Sequence, residues 1–167
     1  MGYTSIPNFL DVAFSNGEIG TPVFALEILD DTQQSLIHYD TIPSSITSNS
    51  FYEPVASSFY WGVSVTGVMI GGVDMTAVSS SLAIIDSGTS YFYLNSQLFE
   101  QIKSTFFSDC VLNVQNVPVC SCDSAANWPT FAFNFTNVEV YIEPEDYTFN
   151  GGNNLCTYLF GTISGFN

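Results

Sequence analysis

Apolar residues along this chain come in short runs separated by clusters of Ser, Asn, Gly and Pro. Two stretches depart from that rhythm and show helical spacing. Over residues 8–17, Phe9, Leu10, Ala13 and Phe14 share one face and Gly17 ends the run, which predicts a short helix. Over residues 95–107, Leu98, Phe99, Ile102 and Phe106 recur at helical intervals behind Asn95, a good N-cap. Lys103 sits near the end of that segment, where a cation complements the helix dipole. The clearest strands are 23–29, 60–70, 82–85, 131–135 and 138–142, with Thr136-Asn137 as a tight turn between the last two. Residues 40–58 and 107–127 are polar and aperiodic and read as loops. The predicted fold class is mainly β, with one or two short helices.

Charge narrows the function. The 167 residues hold 16 Asp and Glu against a single Lys, no Arg and one His, a formal charge of −15. One cation cannot neutralise a phosphate backbone, so nucleic-acid binding is excluded, and anionic membrane surfaces are disfavoured. Protonating carboxylates would relieve the self-repulsion, which suits an acidic compartment. The 15 Phe and 9 Tyr supply enough burial to fold a chain of this length. No apolar run reaches the roughly 18 residues that span a membrane. The opening residues show neither a cationic n-region nor an apolar h-region. Yet Cys110, Cys120, Cys122 and Cys156 read best as two disulfides of an oxidised compartment. Cys120-x-Cys122 is too tightly spaced for zinc, and the lone His38 is distant. A Cys110–Cys120 bridge would close a short surface loop. Asn134-Phe135-Thr136 is a glycosylation sequon, usable on a secretory route. Disulfides without a leader imply that the front of the protein is missing.

The segment with chemistry is Leu82-Ala83-Ile84-Ile85-Asp86-Ser87-Gly88-Thr89-Ser90-Tyr91-Phe92-Tyr93-Leu94. An apolar strand runs into an Asp, a Ser-Gly-Thr-Ser turn follows, and a second apolar strand leaves. Gly88 admits close backbone approach, and the hydroxyls of Ser87 and Thr89 can orient the carboxylate. On spacing alone Asp86 is either a reactive carboxylate or the cap of an Asx-turn.

The hydrophobic-hydrophobic-Asp-Ser-Gly-Thr-Ser stretch resembles the active-site loop in the second lobe of pepsin-like aspartic proteases. Other segments match in order. Ile19-Gly20-Thr21-Pro22-Val23-Phe24-Ala25-Leu26 resembles the strand leading out of the first lobe. Phe51-Tyr52-Glu53-Pro54-Val55 and Tyr60-Trp61-Gly62-Val63 resemble the stretch between lobes. Trp128 to Phe135, and Pro144-Glu145-Asp146-Tyr147, resemble the late hairpin and its turn ending in Tyr. Cys122 and Cys156 fall where such a lobe carries a disulfide.

The resemblance implies an incomplete pepsin-like lobe. Residues 1–45 would be the end of the first lobe with the interlobe strand, and residues 46–167 the catalytic lobe. It implies hydrolysis of peptide or protein substrates by two Asp carboxylates and a water, with Asp86 as one of the pair and no cofactor or metal. Ser87, Gly88, Thr89 and Ser90 would support the loop, and Thr89 could meet substrate backbone. The location implied is secreted, or an acidic vacuole or lysosome.

A second Asp-Thr/Ser-Gly is missing: Asp31-Thr32-Gln33, Asp40-Thr41-Ile42 and Asp123-Ser124-Ala125 all lack the glycine. Leu159-Phe160-Gly161 has the letters of the family's closing strand, but it follows Cys156 too soon and lacks an Asp, and it reads as coincidence. Both ends therefore look cut, the first lobe is expected in the same parent chain, and the isolated chain is expected to be inactive. Two alternatives remain: a non-catalytic half-protease scaffold for binding, and a retroviral-like homodimer with one Asp per chain. His38 reads as a surface-loop residue, Trp61 and Trp128 as anchors of core strands. Asp30-Asp31 and the Glu143, Glu145 and Asp146 cluster read as solvated turns, the latter lacking the glycine and spacing of a calcium loop.

Overall fold

The computed structural model describes residues 6–28, 34–48, 50–114 and 117–162. The chain divides into two compact units, residues 1–52 and 53–167. Leu29, Asp30 and Asp31, part of the reading above, lie outside the described residues.

The first unit holds helix α1 (Phe9–Ser15), strands β1 (Phe24–Glu27) and β2 (Leu36–Tyr39), and the one-turn helix α2 (Ser44–Thr47). The Asn8 side chain caps α1 by accepting the Asp11 N–H. β1 and β2 form an antiparallel hairpin with Ala25 opposite His38. Asp40 closes its base at φ 67°, with Oδ1 accepting the N–H groups of Gly20 and Thr21 at 2.8 and 2.7 Å. His38 is a strand residue rather than a loop residue, its Nε2 lying 2.9 Å from Glu27 Oε2.

The second unit contains β3 (Gly62–Ser64), β4 (Gly67–Ile70), β5 (Val73–Asp74), β6 (Leu82–Ile84), β7 (Phe92–Leu94), α3 (Ser96–Phe106), β8 (Val111–Leu112), β9 (Pro118–Ser121), β10 (Phe131–Asn134), β11 (Glu139–Ile142), β12 (Thr148–Asn150), β13 (Leu155–Tyr158) and β14 (Phe160–Thr162). One antiparallel sheet has the order β11-β10-β4-β5 and another β12-β13-β9-β8, while β3 pairs with β6 and β7 with β14. The architecture is mainly β, with three α-helices among the described residues.

Two local expectations are corrected. The run 60–70 is two strands, because the backbone changes partner in the middle. Val65 donates to Ser81 O and Thr66 to Asn134 O, so β3 joins β6 and β4 joins β10. The supposed loop 107–127 contains β8, β9 and a 3₁₀ turn over Cys122–Asn127. Those elements carry two disulfides, Cys110–Cys120 and Cys122–Cys156. Leu159-Phe160-Gly161, set aside above as a match to the family's closing strand, lies in regular structure all the same. Phe160–Thr162 is a buried strand that runs parallel to β7, with Phe160 opposite Phe92 and Gly161 opposite Tyr93.

The core is largely aromatic. Phe99 from α3, Phe107, Trp128, Phe131 from β10, Tyr147, Tyr158 from β13 and Phe160 are all buried in one cluster. Asn95 caps α3 through the Leu98 N–H at 2.9 Å, which turns Leu98, Phe99 and Ile102 onto that cluster. Trp128 anchors the core as expected, but Trp61 does not and is 46% exposed. Tyr147 is seated by donating its hydroxyl to Pro129 O at 2.7 Å. Burial and the carboxylates of Glu143 and Glu145 push its ionisation well above the ordinary phenol range, and burial does the same to Tyr158. Glu143 and Asp146 form a capping box around Pro144–Asp146, each side chain accepting the other end's N–H.

Candidate functional site

Asp86 leaves the end of β6 and sits in a tight turn at Ser87 and Gly88. The two strands flanking the loop belong to different pairings, so each foot is held separately. On the entering side, Ile85 donates to Trp61 O at 2.8 Å, continuing the β3–β6 ladder. On the leaving side, Phe92 donates to Leu159 O at 2.8 Å, where β7 meets β14. Residues 86–90 between these anchors are all exposed. Fixing both feet restricts the loop at little further entropic cost and aims the carboxylate outward.

The Gly88 N–H donates to Asp86 Oδ1 at 2.9 Å. A Cβ at residue 88 would lie 3.2 Å from that oxygen, so the approach favours glycine. This is the hydrogen bond of an Asx-turn, and it also fixes the orientation of the carboxylate. The two readings of Asp86 are compatible rather than exclusive. Among the described residues, the hydroxyls of Ser87, Thr89 and Ser90 make no hydrogen bond to it. Beside the loop's entering foot, Phe59, Tyr60, Trp61 and Ile85 expose apolar surface.

Asn134, the sequon residue, ends β10 half-buried, with its side chain packed over Gly67. Among the described residues, no three His, Cys, Asp or Glu side chains group as metal ligands, and no helix is long and apolar enough to cross a membrane. The strand at Phe160–Thr162 was not among those read from the sequence; it holds the leaving foot through its pairing with β7.

An apolar strand that leads into an exposed Asp in a Ser-Gly-Thr-Ser turn, on a mainly β scaffold, is the arrangement of an aspartic-protease lobe. The sequence profile of the eukaryotic aspartyl proteases matches residues 2–166, and the chain belongs to that family. It is 23% identical over 175 residues to pregnancy-associated glycoprotein 2 of Bos taurus, covering 95% of this chain and 45% of that protein. Against chymosin of Camelus dromedarius it is 25% identical over 170 residues, covering 95% of this chain and 44% of that protein. Its fold matches the crystal structure of the aspartic proteinase from Irpex lacteus with a TM-score of 0.79 at 21% identity, over 96% of this chain and 52% of that one. The chain thus spans about half the length of the relatives it matches.

Proposed function

We propose that this chain contributes the catalytic second lobe of an aspartic endopeptidase, with Asp86 as one of two reacting carboxylates. The observation that carries the reading is the exposed Asp86 carboxylate in a loop pinned at both feet, oriented by the Gly88 N–H. Family membership supports a protease activity and a peptide or protein substrate.

In the proposed reaction the two carboxylates share one proton. The ionised member takes a proton from water while the protonated member polarises the scissile carbonyl. The hydroxide equivalent adds to the carbonyl carbon, and the nitrogen leaves once it has received a proton. In this reading Gly88 orients the carboxylate through its N–H, Ser87, Thr89 and Ser90 are the supporting residues of the loop, and Thr89 meets substrate backbone. One Asp of this kind cannot perform both roles. The second comes from a first lobe outside these 167 residues, of which residues 1–45 are the end, and residues 46–167 are the catalytic lobe. The protein works in a secreted or acidic vacuolar or lysosomal setting, and Asn134 is its glycan acceptor.

The test is immunocapture of the native protein from its source with an antibody to residues 120–150. Expected are a band near twice the 18.3 kDa of this chain and cleavage of a denatured protein under acid conditions, blocked by a peptide that mimics the tetrahedral intermediate. A native protein of the larger size with no acid proteolysis contradicts the proposal.

A further inference from the structure

A groove of about 560 Å³ opens on the face of the second unit where the β10–β11 hairpin meets the end of α3. None of residues 86–90 lines it. Phe106, Trp128 and Tyr141 are the aromatic residues that line it, and Glu139 is the only carboxylate among its lining residues. Tyr141 donates its hydroxyl to Glu139 Oε2 at 2.5 Å, so the carboxylate is held beside the rings rather than turned away. The close packing of one wall depends on Gly71. At φ 56°, a Cβ there would lie 2.8 Å from the Phe106 ring and 3.0 Å from Pro129.

A groove lined by three aromatic residues, with one carboxylate held beside Tyr141, suits a flat cation. Ring faces attract a cation, and a guanidinium can stack on them while its edge N–H groups reach a carboxylate. Charge complementarity points the same way, since the chain is strongly acidic and contains no arginine at all. A second copy of this chain therefore cannot supply the group. We propose that this groove is a docking site for an arginine side chain of a partner polypeptide, separate from the Asp86 loop.

The test is an NMR titration of the full 167-residue chain, following the Trp128 indole N–H. The probes are the peptide acetyl-Gly-Arg-Gly-amide and its citrulline counterpart, which keeps the shape and removes the charge. The arginine peptide is expected to give a saturable shift, with the citrulline peptide at least about tenfold weaker. Glu139→Gln is expected to weaken the arginine peptide by at least about the same factor, with the Tyr158 ring signals unchanged to show that the core is intact. Equal binding of the two peptides, no saturable shift, or indifference to Glu139→Gln in a folded variant overturns the proposal. The readout involves no proteolysis, so its failure leaves the catalytic reading untouched.

Discussion

Phe160→Ala is the substitution that weighs the strand β14 most heavily. Phe160 is fully buried, and its ring lies 5.4 to 6.2 Å from those of Phe99, Phe107, Phe131, Tyr147 and Tyr158. Truncating a buried Phe costs about 3–5 kcal/mol through lost transfer energy and the cavity left behind. Aromatic pairs add about 0.5–1.5 kcal/mol each beyond area, though not additively, so the upper part of that range applies here. Elements from four parts of the chain converge on this ring, and little else can move in to fill the space. A domain is stable by only about 5–15 kcal/mol in total, so the variant should sit close to unfolding. In urea, with the disulfides intact and the aromatic core followed by near-ultraviolet circular dichroism, the midpoint should fall by about 2 M for a slope near 2 kcal/mol/M. Tyr93→Ala, on the facing strand but 47% exposed, is the control and should shift it little. A shift for Phe160→Ala of less than about 0.5 M, on the same slope, would refute the reasoning and return β14 to a peripheral role.

The two disulfides should differ in worth. The Cys122–Cys156 bridge spans 34 residues and the Cys110–Cys120 bridge 10, so loop-closure entropy predicts losses of about 4 and about 3 kcal/mol. Paired Cys→Ser variants in urea check the order, and equal or reversed losses contradict it. In an alkaline titration read at 295 nm, Tyr147 and Tyr158 should stay neutral until the fold opens. Because their folded values are raised, the stability they give is full below about pH 10 and is lost as the pH climbs through the folded values. A smooth early titration of all tyrosines would count against their burial.

Features with a local cause were legible in the sequence. Asn95 announced its helix because an N-cap acts within four residues of itself. The hairpin of β10 and β11 followed from two short apolar runs on either side of Thr136-Asn137, and Asp86 from a turn motif between two apolar strands. What escaped depends on partners far away in the chain. β9 is only four residues long and opens on a proline, and pairs with β13 across the Cys120 and Cys156 positions. β14 is a strand only because β7, much earlier in the chain, offers it a parallel edge. The break after Ser64 is invisible locally, since it is the switch from Ser81 to Asn134 as acceptor that creates it. The orientation of the Asp86 loop likewise depends on Trp61 and Leu159, residues on either side in sequence with no local signature of that role.

The measurement closest to the central claim is the initial rate of acid proteolysis by the native protein carrying Asp86→Asn at its own gene. Asparagine keeps the size and the Oδ1 acceptor for the Gly88 N–H but cannot take up a proton, so the loop should stay formed. Loss of a catalytic acid–base group lowers the rate by about 10²–10⁴-fold, and that drop, with the urea midpoint unchanged, is the predicted result. A rate within about twofold of the parent protein, too small a change for an acid–base group, would show that Asp86 is only the cap of its turn.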